Sequence, residues 1–377
     1  MNNQYKKIIS IILCLSLIGC QGGKKEEEIQ SNSPPREIET GLVLHNATLE
    51  QSNENGQPLW KLSTEKAVYS QDKKNATLEN ITGNLFSNGQ LVLQLKAKKG
   101  EIKQDGEQVY LKEEIIAVDP RNKAELKASE LEWKTGENIV ILRNGIKGNH
   151  AQLTVSAKEG IYHTQEQRLE LGGEIIAVTK NPQLQLKTEH LYWEIPQSKV
   201  KGDRPLKMIR FQDKIVTDQV TTDQAEVDLK TNTATIRGNN EYKSLEPPLS
   251  IASNEIIWQY KNRLVMSNNP IKIIQTGDYM ELTANQATVD LGNKMAILDK
   301  GIYGEASQKE VKIYGDQGAW NIATDQVEIT GNVYYQQINP DFNFSGANAY
   351  GSLQDKSIVV TGDNQTKVVT EIYPKNE

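Results

Sequence analysis

After residue 40 the chain repeats itself ten times, and every copy contains the same one-residue slip. The unit reads apolar-x-small-x-x-apolar or small-x-large. It opens at Leu62, Leu95, Leu126, Val155, Leu186, Val220, Ile251, Leu282, Ile313 and Phe344, at intervals of 29 to 34 residues. In the third copy Leu126 and Ala128 share a face by strict alternation, which would place Glu130 next. Instead Leu131 and Trp133 resume the apolar row. A period of two means strand. One inserted residue flips the face, as a bulge does when it bends a strand and re-aims its side chains. A small residue beside the slip suits a sharp bend, and a bent strand can cross from one sheet to another at a corner. A second apolar pair follows each opening by 13 or 14 residues, as at Val109/Leu111, Ile139/Ile141, Leu169/Leu171, Leu264/Met266 and Val327/Ile329. Ten units of two bent strands predict an all-β, antiparallel fold of about twenty strands.

Nothing past residue 40 shows a clear 3.6-residue stripe. The turn signals are those of strands: Asn88-Gly89, Asp105-Gly106, Asn144-Gly145 and Gly172-Gly173. Two irregular stretches, 203–217 and 245–249, interrupt the pattern. The first follows five repeats, so 41–215 and 216–377 are candidate pseudo-domains. With no flexible linker between them, one continuous structure is the favoured reading.

Composition narrows the function. The 377 residues carry 43 Lys and Arg against 49 Asp and Glu, a net charge of −6. That excludes a global nucleic-acid footprint, which needs a basic excess. Two cysteines exclude a Cys-based zinc site, and the four histidines, His45, His150, His163 and His190, are scattered. No HExxH, GxSxG or phosphate-cradling glycine loop occurs. Carboxylate pairs such as Glu113/Glu114 lie on the polar faces of amphipathic strands. The chain therefore reads as a non-enzyme, with no catalytic residue, no cofactor and no metal.

The first nineteen residues read as a signal peptide. Lys6 and Lys7 precede an apolar run from Ile8 to Cys20, too short to span a bilayer and the right length for a signal-peptide core. The run ends Leu17-Ile18-Gly19-Cys20, which resembles a bacterial lipobox, so Cys20 is the expected lipidated residue. Cys14 does not qualify, because bulky Leu13 precedes it. Residues 20–40, with Lys24-Lys25-Glu26-Glu27-Glu28 and Pro34-Pro35, read as a polar tether.

A lipobox, a short tether and successive bent-strand repeats together resemble the lipopolysaccharide-export bridge family, LptC and LptA with their OstA-like β-jellyroll. The likeness covers about residues 41–370 and is carried by segments such as Leu95–Ile102 and Val155–Tyr162. The N-terminal anchor is most similar to LptC. The chain is about twice the length of a single-module member, and its anchor looks like lipid where many relatives use a membrane-spanning helix. The resemblance implies an elongated, taco-like jellyroll whose apolar groove holds lipopolysaccharide acyl chains. It implies as partners an inner-membrane ABC transporter, and another jellyroll bridge or an outer-membrane receiver protein. The place it implies is the periplasmic face of the inner membrane, held by the lipid anchor.

On that reading the large position of each repeat lines the groove: Tyr69, Ile102, Trp133, Tyr162, Trp193, Val227, Trp258, Val289 and Trp320. The plain alternative is sandwich core, since tryptophan buries a large area wherever two sheets pack. Small residues in the repeat either leave room for acyl chains or let the sheets approach. The first open edge is expected at Gly41–Glu50. The last is expected at Ser357–Tyr373, where Ile358, Val360 and Val368 are the candidate partner-edge residues. A β-repeat scaffold or adhesin-like lipoprotein is the other class. A regular parallel solenoid, however, has no reason for a slip in every unit.

Overall fold

The structure is a computed structural model that describes residues 41–275, 280–339, 341–352 and 354–372. Cys20, the expected signal peptide and the expected tether lie outside the described residues. Gly41–Glu377 forms one compact unit.

The strands are β1 (Val43–Ser52), β2 (Pro58–Tyr69), β3 (Ala76–Ser87), β4 (Gln90–Lys103), β5 (Gln108–Val118), β6 (Glu125–Lys134), β7 (Ile139–Arg143), β8 (Ile146–Asn149), β9 (Leu153–Ala157) and β10 (Glu159–His163). There follow β11 (Arg168–Thr179), β12 (Leu184–Glu194), β13 (Lys199–Gly202), β14 (Leu206–Gln212), β15 (Ile215–Thr222), β16 (Gln224–Asp228), β17 (Thr233–Leu245), β18 (Pro248–Gln259), β19 (Leu264–Ser267) and β20 (Ile271–Gln275). The series closes with β21 (Met280–Asp290), β22 (Met295–Ala306), β23 (Val311–Gly315), β24 (Gln317–Asn321), β25 (Gln326–Gln337), β26 (Phe342–Ser352), β27 (Ser357–Thr361) and β28 (Val369–Ile372). Every pairing among the described residues is antiparallel and joins strands at most three apart in chain order, which makes the fold the elongated all-β jellyroll that the repeats predict.

Each strand line bends once. The first half of β5, Gln108–Lys112, pairs with the last half of β6, Glu130–Lys134. The second half of β5, Ile115–Val118, pairs with the first half of β6, Glu125–Ala128. The two halves belong to two facing layers, here sheet I, which carries Trp133, and sheet II, which carries Leu126. Where a line breaks at the corner, its halves count as two strands: β7 continues sheet I from β6, and β8 continues sheet II. Among the described residues seven lines are broken in this way, so the 28 strands make 21 lines. The position of the possible division at 215 opens β15, which pairs with both β14 and β17, so pairing runs through it.

The slip in each repeat is real, but its strained backbone lies on the neighbouring line. Ser129 of β6 stands opposite two residues of β5, Glu113 and Glu114, with φ of 64° and 51°. The same two-against-one corner recurs at Gly173/Glu174, Lys300/Gly301 and Gly331/Asn332. Asn144-Gly145 and Gly172-Gly173 therefore mark corners and not hairpins, because both features ask for positive φ. Asn88-Gly89 does close a hairpin, between β3 and β4.

Two of the expected apolar pairs are out of phase. Val140 and Leu142 face the core while Ile139 and Ile141 face outward, and Val265 is buried while Leu264 and Met266 are half-buried. Both strands are apolar on each face, so alternation alone does not choose between registers. The turn does: it sets Trp133 opposite Val140 and Trp258 opposite Val265.

The interior is one continuous apolar cluster running from Leu49 to Ala349. The small residues of the repeat are filled over by neighbours. A Cβ on Gly160 would lie 2.9 Å from Leu171 Cδ2 and 3.0 Å from Ile146 Cδ1, and one on Gly100 would lie 2.7 Å from Ile81 Cδ1. The glycines thus serve close packing.

Candidate functional site

The residues expected to line a groove fill the space between the sheets. Trp133 and Trp258 are 0% exposed, Trp193, Trp320 and Tyr162 1%, and Val227, Val289 and Ile102 are buried with them. Tyr69 alone of the set is half-buried. The structure brings these residues into one layer, on every second line of sheet I. Trp133 is paired with Val140, Trp193 with Val200, and Trp258 with Val265.

The tryptophans differ in hydrogen bonding. The Trp60 indole N–H reaches Gln51 Oε1 at 2.8 Å and the Gly106 carbonyl at 3.0 Å. The indole nitrogens of Trp133, Trp193, Trp258 and Trp320 have no hydrogen-bond partner although they are buried. A buried donor left unmatched costs about 1–3 kcal/mol. Edge-on rings soften this in part: His150 packs on Trp193 at 5.3 Å, and Tyr242 on Trp258 at 5.4 Å.

Opposite the corners, the hairpin turns of the two sheets meet along a mouth, and side chains clasp across it. Ser87 Oγ meets Asn138 Oδ1 at 2.8 Å, Asn122 Nδ2 donates to Gln167 Oε1 at 2.7 Å, and Gln152 Nε2 donates to Ser198 Oγ at 2.8 Å. Further along, Arg210 Nε donates to the Tyr260 carbonyl at 2.6 Å and Gln275 Nε2 to Asp325 Oδ1 at 3.2 Å.

Two clasps are built on buried aspartates. Asp119, 1% exposed, follows β5 in sheet II. It accepts from Tyr162 of sheet I and from Arg121, whose Nη2 also reaches the Thr164 carbonyl at 2.8 Å. Asp218, 0% exposed, takes the Tyr242 hydroxyl at 2.5 Å and Arg263 Nη2 at 3.2 Å, with Arg210 Nη1 at 3.5 Å. Burial, and then the facing aspartate, raises the pKa of both Tyr162 and Tyr242, which keeps them as hydroxyl donors.

Beneath the clasps runs an apolar row that the repeat reading stopped short of: Ile195, Leu229, Tyr260, Leu291 and Ile322. Each lies two residues past the large position. Their backbone N–H groups bond the preceding turn, as in Tyr260 to the Asn232 carbonyl at 3.1 Å and Leu291 to the Arg263 carbonyl at 3.1 Å. The even spacing of these residues was the available signal. At one stretch the mouth is lined mainly by apolar side chains: Leu153, Val178, Leu184 and Leu229, with Thr179, surround about 10 Å³ of free space, room for one water.

The expected C-terminal edge divides in two. β27 pairs with the last half of β26 in sheet I, and β28 pairs with its first half in sheet II. Ile358 and Val360 lie in β27, half-buried, whereas Val368 precedes β28 and is 43% exposed. Among the described residues β27 and β28 are paired on one side only, as is β1 at the other end. Among the described residues no group of three or more His, Cys, Asp and Glu could hold a metal.

Residues 9–145 match the family model described as lipopolysaccharide-assembly, LptC-related. A search of curated proteins finds no match. The match takes in the first lines of the jellyroll, with Trp60, Asp119 and Trp133. Over residues 9–145, about a third of its length, the chain is thus similar to the LptC-related lipopolysaccharide-assembly family.

Proposed function

We propose that the chain is a periplasmic bridge component that carries lipopolysaccharide from an inner-membrane ABC transporter toward the outer membrane. On this reading Cys20 is lipidated and holds the body at the periplasmic face of the inner membrane. The observation that carries the reading is the continuous apolar interior beneath a mouth closed by single polar bonds, on a chain whose first third matches the LptC-related family. A clasp between neutral side chains is one hydrogen bond, worth about 0.5–1.5 kcal/mol net, and a bond to a buried aspartate about 1.5–3 kcal/mol. The mouth can therefore part locally without unfolding the sheets. Acyl chains would enter at the mainly apolar stretch around Leu184 and Leu229. The four unmatched indole N–H groups are donors for the ester and amide carbonyls that such a lipid brings. The half-paired β27 and β28 would take the next jellyroll by strand addition.

The test is export in cells depleted of this chain. The wild-type chain restores delivery of newly made lipopolysaccharide to the cell surface, whereas Leu229→Arg, which sets a charge in the apolar entry, does not. Equal rescue by both would overturn the reading.

A further inference from the structure

Three tyrosines stand in a row on the outer face of sheet II, away from the interior. Register sets Tyr303 of β22 opposite Tyr314 of β23, and Tyr314 opposite Tyr334 of β25. Their ring centroids are 5.1 and 6.0 Å apart. Tyr314 is 41% exposed. The Tyr303 hydroxyl is tied to Glu305, which fixes its ring.

Two of the tyrosines, Tyr303 and Tyr314, line a cleft of about 600 Å³ beside the corner. That volume is typical of a small-molecule site. The lining also carries Asn285, Asp316 and Asn332, all exposed. Asn332 Nδ2 donates to Asp316 Oδ2 at 2.8 Å, and Asn285 Nδ2 to the Lys300 carbonyl at 2.6 Å, so their positions are set. Lys272, the cation lining the cleft, is ion-paired with Glu281 at 2.7 Å.

We propose that this cleft binds a saccharide, with one pyranose ring lying on Tyr314 and its hydroxyls meeting Asn285, Asp316 and Asn332. An exposed aromatic face attracts the C–H face of a sugar through its negative quadrupole. Amide and carboxylate groups match hydroxyls, which both donate and accept. A phosphorylated ligand fits worse, because the lining cation is already neutralised by Glu281. An extended peptide fits worse too. β22 and β23 are hydrogen-bonded on both sides and offer no free edge. The site lies outside the apolar interior and stands whether or not that interior carries lipid.

The same chemistry arrives either as a free oligosaccharide or as the sugar portion of a glycolipid. Calorimetric titration of the chain with delipidated oligosaccharide released from lipopolysaccharide, and separately with intact lipopolysaccharide, distinguishes the two. The expected result is saturable binding of the free oligosaccharide, weakened at least ~10-fold by Tyr314→Ala and preserved by Tyr314→Phe. Asn332→Gly, which keeps the left-handed backbone and removes the amide, should weaken it as well without lowering the thermal midpoint. Absence of saturable oligosaccharide binding up to about 10 mM, or affinities unchanged in Tyr314→Ala and Asn332→Gly, overturns the proposal. Binding of intact lipopolysaccharide alone, insensitive to Tyr314, overturns it too.

Discussion

The Tyr162 hydroxyl of sheet I donates to the Asp119 carboxylate of sheet II at 2.6 Å, joining the two layers through a bond buried at the mouth. Asp119 also takes three bonds from Arg121, through the backbone N–H, Nε and Nη2. Tyr162→Phe removes one hydrogen bond to a charged group, and the expected loss is about 1.5–3 kcal/mol. Asp119→Ala strips the arginine of its counter-charge as well and should cost more, about 3–5 kcal/mol. Denaturant unfolding of both variants checks the order. A smaller loss for Asp119→Ala would show that the clasp does not depend on the carboxylate.

Much of this architecture was legible before any coordinates. Ten slips predicted bent lines, and positions such as Leu126, Ala128, Leu131 and Trp133 are buried as their alternation requires. The strands Ile139–Arg143 and Leu264–Ser267 were misphased because each is apolar on both faces, which leaves the turn to set register. The clasps were not legible. Asp119 and Tyr162 lie 43 residues apart, and a lone aspartate after a strand looks like any turn residue. Whether Trp193 faces a groove or a core was open in the sequence. In the structure Trp193 is packed between the two sheets at 1% exposure.

Packing at the repeat glycines should be intolerant. Gly160→Val places methyl groups where Leu171 and Ile146 already lie within 2.9 and 3.0 Å of the Cβ position. Overpacking of this kind costs about 1–3 kcal/mol. A thermal midpoint equal to wild type would mean that the corner relaxes freely.

His190 gives the body a pH dependence. Its Nδ1 lies 2.8 Å from Asp203 Oδ1 and its Nε2 lies 3.3 Å from Glu170 Oε1; His163 faces the same Glu170 at 3.6 Å. Partial burial opposes the charge, but the two carboxylates outweigh it and raise the pKa above 6.5. A raised histidine pKa stabilises the fold fully below the unfolded value, and that stability is lost as pH rises through the folded value. The thermal midpoint should therefore fall on going upward from about pH 6.5, and His190→Gln should flatten that window. An unchanged profile in the variant would assign the effect elsewhere.

The C-terminal edge should dock through backbone. Neighbouring residues of β27 point their N–H groups to opposite sides, so one of Val359→Pro and Val360→Pro removes an outward donor and the other an inward one. Capture of the next jellyroll should fail in at least one variant whose strands β1 to β25 stay protected from exchange. A chain lacking residues 357–377 that still captures that partner would rule the edge out.

The central claim is that the packed interior opens to admit lipopolysaccharide acyl chains. A photo-reactive phenylalanine analogue in place of Trp193, with a control in place of Ile215, which is 69% exposed, tests it in cells actively exporting lipopolysaccharide. The account predicts a lipopolysaccharide adduct at 193 and none at 215. A folded, membrane-held chain that gives no adduct at 193 while export proceeds would contradict it.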